Sequence, residues 1–198
     1  MMLIGITGSI AMGKSEAARY LASLGFPVFD SDSAVHQLYD SEQGAELIRP
    51  LVPEAIVDGK VNRPRLSEVV LNNKQLLGEL EKRVHAEIQN RRNAFVDEAR
   101  AAGAKAVILD IPLLFETGVE TYLDKVIVTS APLGIQRARA LARPGMTPER
   151  LDLILTLQMP DAEKRKRADA VIDSSLTLAE MQKSLLTLFI NWKLIDHA

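Results

Sequence analysis

The chain contains no cysteine, which excludes disulfide bonds, thiolate nucleophiles and cysteine-based zinc sites. A histidine metal site is not predicted either, because His36, His85 and His197 are scattered and lack the spacing of metal ligands. We expect these histidines to be solvated or to belong to the core.

Long apolar runs and an excess of one charge are absent as well. No stretch approaches the roughly 20 apolar residues of a membrane span, and the start MMLIGI is too short for a signal peptide and lacks a basic segment. The 24 basic and 26 acidic residues leave a formal net charge of −2, which provides no broad surface for nucleic acid or an anionic membrane. We therefore expect a cytoplasmic protein without such partners; a monomer is favoured, although the sequence leaves the oligomeric state open.

The composition and the pattern of apolar residues predict an α/β fold. With 198 residues, 47% of them hydrophobic, the chain is long enough for one domain with a sizeable core. Apolar runs without alternation, typical of parallel strands covered on both faces, lie around residues 3–6, 26–29, 106–109, 125–128 and 170–172. Because helical segments separate these runs, we predict a doubly wound, five-stranded parallel sheet.

The interval between the second and third predicted strands is long and predicts an inserted helical lobe. One apolar stripe indicates a long helix over about 73–102, whereas prolines and Gly59 divide residues 40–70 into short, irregular pieces. Further helices are predicted over 15–24, after Asp30, and near 132–143, 147–158, 160–168 and 177–193.

The most specific local motif runs from Gly8 to Ser15, GSIAMGKS, and fits the pattern G-x-x-x-x-G-K-[ST] between a predicted strand and a predicted helix. In such a loop, backbone N–H groups turn inward at the positive end of the helix and bind phosphate. Lys14 would reach the β- and γ-phosphates of a nucleotide, and the Ser15 hydroxyl would bind Mg²⁺. The alternative is a plain strand–turn–helix junction with a solvated lysine.

The remaining motifs favour a small-molecule kinase among phosphate-loop proteins, because no N-K-x-D guanine-binding tetrapeptide is present. Asp32 follows the second strand, where a carboxylate can accept a proton from an attacking hydroxyl group. Asp30 offers the same chemistry, or a helix cap, or a place near Mg²⁺. Both aspartates would otherwise only cap the next helix.

The segment VILDIPLLFE brings a second carboxylate to the end of a strand. Asp110 is predicted to hold Mg²⁺ through water, although many strands end in an aspartate. The following residues 112–116 are predicted to expose apolar side chains at the crevice, where an aromatic or pantetheine-like acceptor would pack. Packing of Leu114 and Phe115 in the core is the competing hypothesis.

Arginines near residue 140 predict a lid. Arg139 and Arg143 are four residues apart and share a helix face, so their guanidinium groups can approach a triphosphate. The alternative is a solvated basic face. The run from Lys164 to Arg167 is expected to face solvent, although contact with phosphates stays open.

Taken in order along the chain, these motifs resemble those of the dephospho-CoA kinases. The resemblance covers nearly the full length and rests on GITGSIAMGKS, FDSDSAVHQLY, DGKVNRPRL, LDIPLLFETG, QRARALAR, Gln158 at a helix end, and RADAVIDSS. It implies a P-loop kinase fold with an acceptor-binding helical lobe and a helical lid. It also implies ATP- and Mg²⁺-dependent phosphorylation of the 3′-hydroxyl of the dephospho-CoA ribose, giving coenzyme A and ADP.

The resemblance further implies individual roles. Asp32 would be the general base, and Arg139 and Arg143 would belong to the lid. The residues implied for ATP are Gly8, Ala11, Met12, Gly13, Lys14, Ser15, Glu16, Asp173 and Ser174, the last two near the adenine. Those implied for the acceptor are Asp32, Arg63, His85, Leu114, Phe115 and Glu116.

Four positions depart from the pattern of the resembled family. Ala11 replaces the usual middle glycine of the loop, so we expect an ordinary negative φ there. Glu16 stands where threonine is common, Ala86 follows His85 where proline is usual, and Ser174 replaces a common asparagine.

The resemblance also suggests how a single domain over 1–198 would be organised. The core would comprise about 1–35, 104–135 and 168–198, the acceptor lobe 36–103, and the lid 136–167. Two other functions remain open from the sequence: a nucleoside or nucleotide kinase on the same scaffold, and a non-catalytic protein in which ATP switches partner affinity.

Overall fold

The structure, a computed structural model, describes residues 1–71 and 73–196. His197 therefore lies outside the described residues. The chain divides into two compact units: the first comprises Met1–Phe29 and Ala99–Ala198, and the second comprises Asp30–Glu98. The predicted lid boundaries at 136–167 are not tested by this division and stay a prediction.

The order of elements confirms the predicted alternation of strands and helices. The strands are β1 (Met2–Thr7), β2 (Val28–Asp30), β3 (Ile56–Val57), β4 (Lys60–Val61), β5 (Ala106–Asp110), β6 (Lys125–Ser130) and β7 (Ala170–Asp173). The helices are α1 (Lys14–Ser23), α2 (Ser31–Tyr39), α3 (Glu42–Ile48), α4 (Arg63–Leu71), α5 (Lys74–Ala101), α6 (Leu133–Leu141), α7 (Pro148–Leu157), α8 (Asp161–Arg167) and α9 (Leu178–Asn191). Short 3₁₀ turns lie at Pro53–Ala55 and Val119–Tyr122.

The first unit contains a five-stranded parallel sheet in the order β2-β5-β1-β6-β7. In the centre of the sheet, Ile4 of β1 aligns with Ile108 of β5, and Ile6 of β1 aligns with Ile127 of β6. All four isoleucines are fully buried. This burial agrees with the apolar runs, which predicted strands that are covered on both faces. The helices α1 and α9 contribute Leu21, Met181, Leu185 and Phe189 to the same core.

The second unit has its own core, built from α2 to α5 around a small hairpin. Its fully buried apolar side chains are Leu38, Ala45, Ile48, Val52 and Ala55. The hairpin joins β3 and β4 through Asp58 and Gly59, which have φ values of 49° and 75°. This Asp-Gly turn gives residues 40–70 more regular structure than the sequence analysis predicted.

Helix ends agree with the predicted signals to within a residue or two. The long helix α5 ends just before Gly103, which has a φ of 77°, and the side chain of Asp30 caps α2 by accepting from the Ser33 N–H at 3.0 Å. In the described ranges, no helix has both the length and the apolar character needed to cross a membrane.

Candidate active site

The loop from Gly8 to Gly13 leads from β1 into α1 and has the geometry of an anion-binding turn. The Met12 N–H donates to the Ser9 carbonyl at 3.1 Å, and Gly13 at φ 83° turns the chain into the helix, which begins at Lys14. Among the described residues, no side chain caps this helix start. The N–H groups of Lys14 and Ser15 are therefore not used by a side-chain cap, and their predicted binding of phosphate oxygens stays a prediction.

Two glycines of the loop are required by close approach. A Cβ on Gly8 would collide with Thr129, lying 2.7 Å from its carbonyl oxygen. A Cβ on Gly13 would lie 2.7 Å from the Cβ of Ser174, in addition to the positive φ of this residue. The requirement for glycine at both positions of the motif thus follows from the close approach of residues at the ends of β6 and β7.

Ala11 is a correction to the sequence analysis, which expected a negative φ. Its φ is 62°, so an alanine adopts the left-handed conformation that the usual glycine would adopt more easily. The Ala11 methyl group is buried with Ala140 and Leu151 of α6 and α7. Apolar contact with these helices offsets part of the backbone strain.

Lys14 and Asp110, predicted to act on phosphate and on Mg²⁺, are brought together in an ion pair. Asp110 is the last residue of β5, and its side chain is only 3% exposed, while that of Lys14 is 15% exposed. The pair holds the ammonium group beside the loop at the carboxyl edge of the sheet. A partly buried cation in this position is suited to receive the negative charge of phosphate oxygens.

Side chains from outside the loop hold its middle. The buried Gln136 of α6 donates through Nε2 to the Ile10 carbonyl at 3.0 Å. Gln158, directly after α7, accepts from the Ile10 N–H through Oε1 at 3.0 Å. The Ala131 N–H donates to the Met12 sulfur at 3.0 Å. Neither glutamine was predicted to have a function, although a polar residue on the buried face of α6 is a signal of specific hydrogen bonding.

The predicted adenine-side residues lie at the end of β7 and contact a predicted lid residue. The Ser174 N–H donates to the Ser130 carbonyl at 2.8 Å, and Arg139 donates to the Ser174 carbonyl at 2.7 Å and hydroxyl at 3.2 Å. Hydrogen bonds from the Ser175 hydroxyl and N–H lower the pKa of Asp173 below its usual value. Arg143 lies exposed just beyond α6 and is not brought to this group.

A cleft of about 210 Å³ adjoins these residues in the first unit. It is lined by Ser130, Ala131, Pro132, Arg165, Val171 and Asp173. Arg165 belongs to the basic run that the sequence analysis expected to face solvent, and it is exposed while lining the cleft. The cleft combines an apolar wall with one cation and one carboxylate.

Lys164 is a second correction, since it was expected to face solvent and is fully buried. Its ammonium group lies 2.9 Å from Oε1 of Glu116, which also accepts from the Met159 N–H at 2.7 Å. Desolvation alone would raise the pKa of Glu116, but the hydrogen bonds from Lys164 and Met159 outweigh it and lower that pKa. Glu116 therefore links the segment after β5 to α8; its predicted contact with the acceptor stays a prediction.

The expectation that Leu114 and Phe115 are exposed at the crevice is wrong. Leu114 is fully buried beside Gly5 of β1, and Phe115 is 5% exposed. Only Leu113, at 41%, presents a large exposed apolar side chain in this segment. The competing hypothesis of core packing explains both side chains, and their predicted contact with the acceptor stays a prediction.

In the second unit, Asp32 lies in the first turn of α2, where its side chain is exposed. Asp30, not Asp32, accepts the capping hydrogen bond, so the cap explains only one of the two carboxylates. The catalytic role predicted for Asp32 stays a prediction.

The other two acceptor residues of the second unit differ in their contacts. Arg63 donates to the His36 carbonyl at 3.1 Å, lies 3.4 Å from Oδ2 of Asp40, and stacks 5.8 Å from the Tyr39 ring centre. Its guanidinium group thus covers the C-terminal end of α2. His85 lies exposed on α5.

Comparison with known proteins identifies the family to which the chain belongs. The family described as Dephospho-CoA kinase matches residues 2–180. The chain belongs to the dephospho-CoA kinase family. A Dephospho-CoA kinase from Rhodopseudomonas palustris is 47% identical over 88% of this chain and 87% of the relative. One from Brucella melitensis is 46% identical over 93% of this chain and 92% of the relative.

Solved structures with a similar fold include one that is named as a Dephospho-CoA kinase. TT1252 from Thermus thermophilus is 36% identical with a TM-score of 0.80, over 96% of this chain and 97% of the other. The Dephospho-CoA kinase from Campylobacter jejuni is 27% identical with a TM-score of 0.73, over 96% of each chain. A shikimate kinase from Acinetobacter baumannii, at 19% identity and a TM-score of 0.54, shares the fold.

Proposed function

We propose that this protein transfers the γ-phosphoryl group of ATP to the 3′-hydroxyl of the dephospho-CoA ribose, giving coenzyme A and ADP. Family membership supports this reaction, and the proposal assigns its steps to residues of this chain. The observation that carries it is the loop from Gly8 to Gly13, which opens the uncapped start of α1 toward phosphate and places Lys14 beside Asp110. Coenzyme A synthesis in the cytoplasm is the corresponding setting.

The proposed reaction is a direct displacement at phosphorus. Asp32 accepts the proton of the ribose hydroxyl as its oxygen forms a bond to the γ-phosphorus, and the bond from that phosphorus to the β–γ bridging oxygen breaks. ADP leaves with the electron pair of that bond. Lys14 and the loop N–H groups stabilise the charge on the transferring group.

The arginines Arg139 and Arg143 are proposed to add to this stabilisation from α6 and the residues after it. Arg139 donates to Ser174, a residue that approaches Gly13 closely, so its guanidinium group is held in the first unit by a neighbour of the loop. Arg143 is exposed and remains accessible to a phosphate group. Arg63, His85 and Glu116 are proposed to contact the acceptor.

The donor groups present fit Mg²⁺, which typically binds few protein ligands because nucleotide phosphates and water complete its shell. The Ser15 hydroxyl is exposed in the first turn of α1, and Asp110 supplies a carboxylate at the end of β5. No cluster of three or more histidine or acidic ligands occurs within the described ranges, which suits a metal held mainly by substrate. When bound, Mg²⁺ would neutralise phosphate charge.

The deciding experiment supplies ATP, Mg²⁺ and dephospho-CoA and measures ADP release, with mass spectrometry of the acceptor. We expect one added phosphate on dephospho-CoA and far slower transfer to AMP or a nucleoside. A reaction without acceptor measures background hydrolysis. Preferential phosphorylation of AMP would identify a nucleotide kinase, and ATP binding without transfer would identify a non-catalytic protein; either result overturns the proposal.

A further inference from the structure

The middle of the phosphate loop depends on side chains that lie far away in sequence. Ile10 is the residue before the strained Ala11, and both of its main-chain groups are bonded to glutamines. Because Ile10 N–H is only a donor and its carbonyl only an acceptor, the two amides have forced orientations. Gln158 must present its oxygen and Gln136 its nitrogen.

This arrangement fixes two successive peptide planes. The N–H of Ile10 belongs to the peptide group before it, and its carbonyl belongs to the peptide group that leads into Ala11. Holding both restricts rotation about the Ile10 backbone and orients the peptide that enters the left-handed residue. For an alanine, that conformation is about fivefold or more less populated than the right-handed one.

The neighbouring residues are held by the same part of the chain. Met12 accepts a hydrogen bond from the Ala131 N–H, and the Ala11 methyl group packs with Ala140 and Leu151. Gln136 is 2% exposed, so its amide is committed to a bond inside the protein. The loop is therefore braced at three successive residues by α6, α7 and the segments beside them.

We propose that Gln136 and Gln158 are positioning residues for ATP, which hold the Ile10 peptides so that the loop keeps its phosphate-binding conformation despite alanine at position 11. They act through the loop and need not touch the nucleotide. The inference rests on the proposed function for its nucleotide. In this proposal, α6 and the residue after α7 determine the conformation of the phosphate loop. Both belong to the segment that is predicted to close over ATP.

The test uses the full-length protein with substitutions at Gln158, which is half-buried at a helix end and therefore tolerant of change. Gln158→Met replaces the amide oxygen with a thioether sulfur, a much weaker acceptor, without adding charge, whereas Gln158→Glu keeps an oxygen facing the Ile10 N–H. Gln182→Met on α9, another half-buried glutamine of the first unit, is the matched control. The readouts are hydrogen exchange at the Ile10 amide without nucleotide, and binding of a non-hydrolysable ATP analogue.

We expect Gln158→Met to accelerate Ile10 exchange by about tenfold and to weaken analogue binding by about fivefold, the effect of one hydrogen bond. The rate at saturating ATP should change by less than about twofold, because bound phosphates then hold the loop. Gln158→Glu should protect the Ile10 amide as the wild type does, although its charge can weaken nucleotide binding. Gln182→Met should change neither readout.

Substitution of Gln136 by glutamate should have the opposite effect to substitution of Gln158 by glutamate, because Gln136 must donate a hydrogen bond whereas Gln158 must accept one. A second position also makes the test independent of a single variant. Gln136→Glu would place an acceptor opposite the Ile10 carbonyl, which is also an acceptor. This variant should therefore accelerate hydrogen exchange at the Ile10 amide, and weaken binding of the ATP analogue, more than Gln136→Met does. If the Gln136 variants do not fold, the Gln158 pair alone decides. Gln158→Met with wild-type exchange and wild-type analogue affinity would overturn the proposal.

The two proposals fail in different ways. Wild-type protein that binds the analogue but does not phosphorylate dephospho-CoA would refute the proposed function and leave the positioning role standing. Variants that match the wild type in exchange and binding would refute the positioning role and leave the kinase reaction standing. Wild-type protein that binds no ATP analogue would refute both.

Discussion

The two units hold their predicted functional side chains in different ways. In the first unit, Lys14 is paired with a buried aspartate, and Glu116 is paired with a fully buried lysine. In the second unit, Asp32 and His85 are exposed, and the ion pair between Arg63 and Asp40 lies at the surface. The predicted site residues of the first unit are thus held by internal bonds, whereas those of the second unit are held by contacts that water weakens.

This difference predicts different consequences of substitution. In the first unit, removing one partner leaves a charge in a dry environment, so function and stability should change together. In the second unit, an exposed side chain should be removable with little loss of stability, so function should change alone. The following substitutions test this contrast.

The largest effect is expected for Lys14→Met. Loss of the ammonium group should lower phosphoryl transfer by about 10³-fold or more, because it removes a cation aimed at the transferring group. It should also lower the free energy of unfolding by about 3 kcal/mol, since the buried Asp110 carboxylate loses the Lys14 ammonium group. Denaturant unfolding and the ADP-release assay measure the two effects separately.

A double variant separates catalysis from stability. Lys14→Met combined with Asp110→Asn should recover most of the lost stability without recovering transfer, because the buried charge is gone but the cation and the carboxylate proposed for Mg²⁺ are both missing. Lys183→Met on the exposed face of α9 serves as the lysine control. Recovery of transfer in the double variant would show that Lys14 acts only by neutralising Asp110.

Asp32→Asn should change function alone. Loss of the general base is expected to lower the rate at saturating ATP by about 10²- to 10⁴-fold while the melting temperature stays near that of the wild type. Asp30→Asn is a close control, because asparagine caps a helix about as well as aspartate and should keep both activity and stability. Near-normal turnover by Asp32→Asn would remove this residue from the mechanism.

The contrast also shows which features could be predicted from sequence. The strand, loop and helix that carry Lys14 are contiguous, so periodicity and motif spacing were sufficient to predict them. The Asp58-Gly59 hairpin was missed although its signal was present, because the flanking strands have only two residues each. Of three apolar residues in a row after Pro112, the sequence does not show which one faces outward, because an irregular segment has no period.

The tertiary bonds of the site could not be predicted. Gln136, Gln158 and Lys164 acquire partners 48 to 148 positions away, and their burial depends on how α6, α7 and α8 pack on the sheet. A basic run normally faces solvent, so Lys164 had no distinguishing local signal. The positive φ of Ala11 has the same origin, because contacts outside the loop stabilise a conformation that alanine disfavours.

Lys164→Met should have the next largest effect, mainly on stability. Glu116, whose side chain is 17% exposed, would keep its desolvation but lose its cation, at a cost of about 3 kcal/mol. The double variant Lys164→Met/Glu116→Gln should be close to the wild type, because an uncharged pair of similar volume remains. Equal stability of the single and double variants would contradict a role for the buried charge.

The same carboxylate predicts a pH dependence with a definite sign. The pKa of Glu116 lies below its ordinary value of 4.5 in the folded protein, so the unfolded chain takes up this proton first as pH falls. The stability contributed by the Glu116 carboxylate is present above about pH 4.5 and is lost as pH falls through the folded pKa. Wild-type protein should therefore lose stability faster than Glu116→Gln below about pH 4.5, as measured by urea unfolding.

The smallest effect is expected from removing one helix cap in each unit. The Thr177 hydroxyl accepts from the Glu180 N–H at the start of α9, and the Ser41 hydroxyl accepts from the Gly44 N–H at the start of α3. Thr177→Ala and Ser41→Ala should each lower the free energy of unfolding by about 1 kcal/mol. Neither residue was predicted to bind substrate, so transfer rates should stay at the wild-type level. If Ser41→Ala alone lowered the affinity for dephospho-CoA, the second unit would depend on its helix ends for function, and the proposed separation of function from stability there would be wrong.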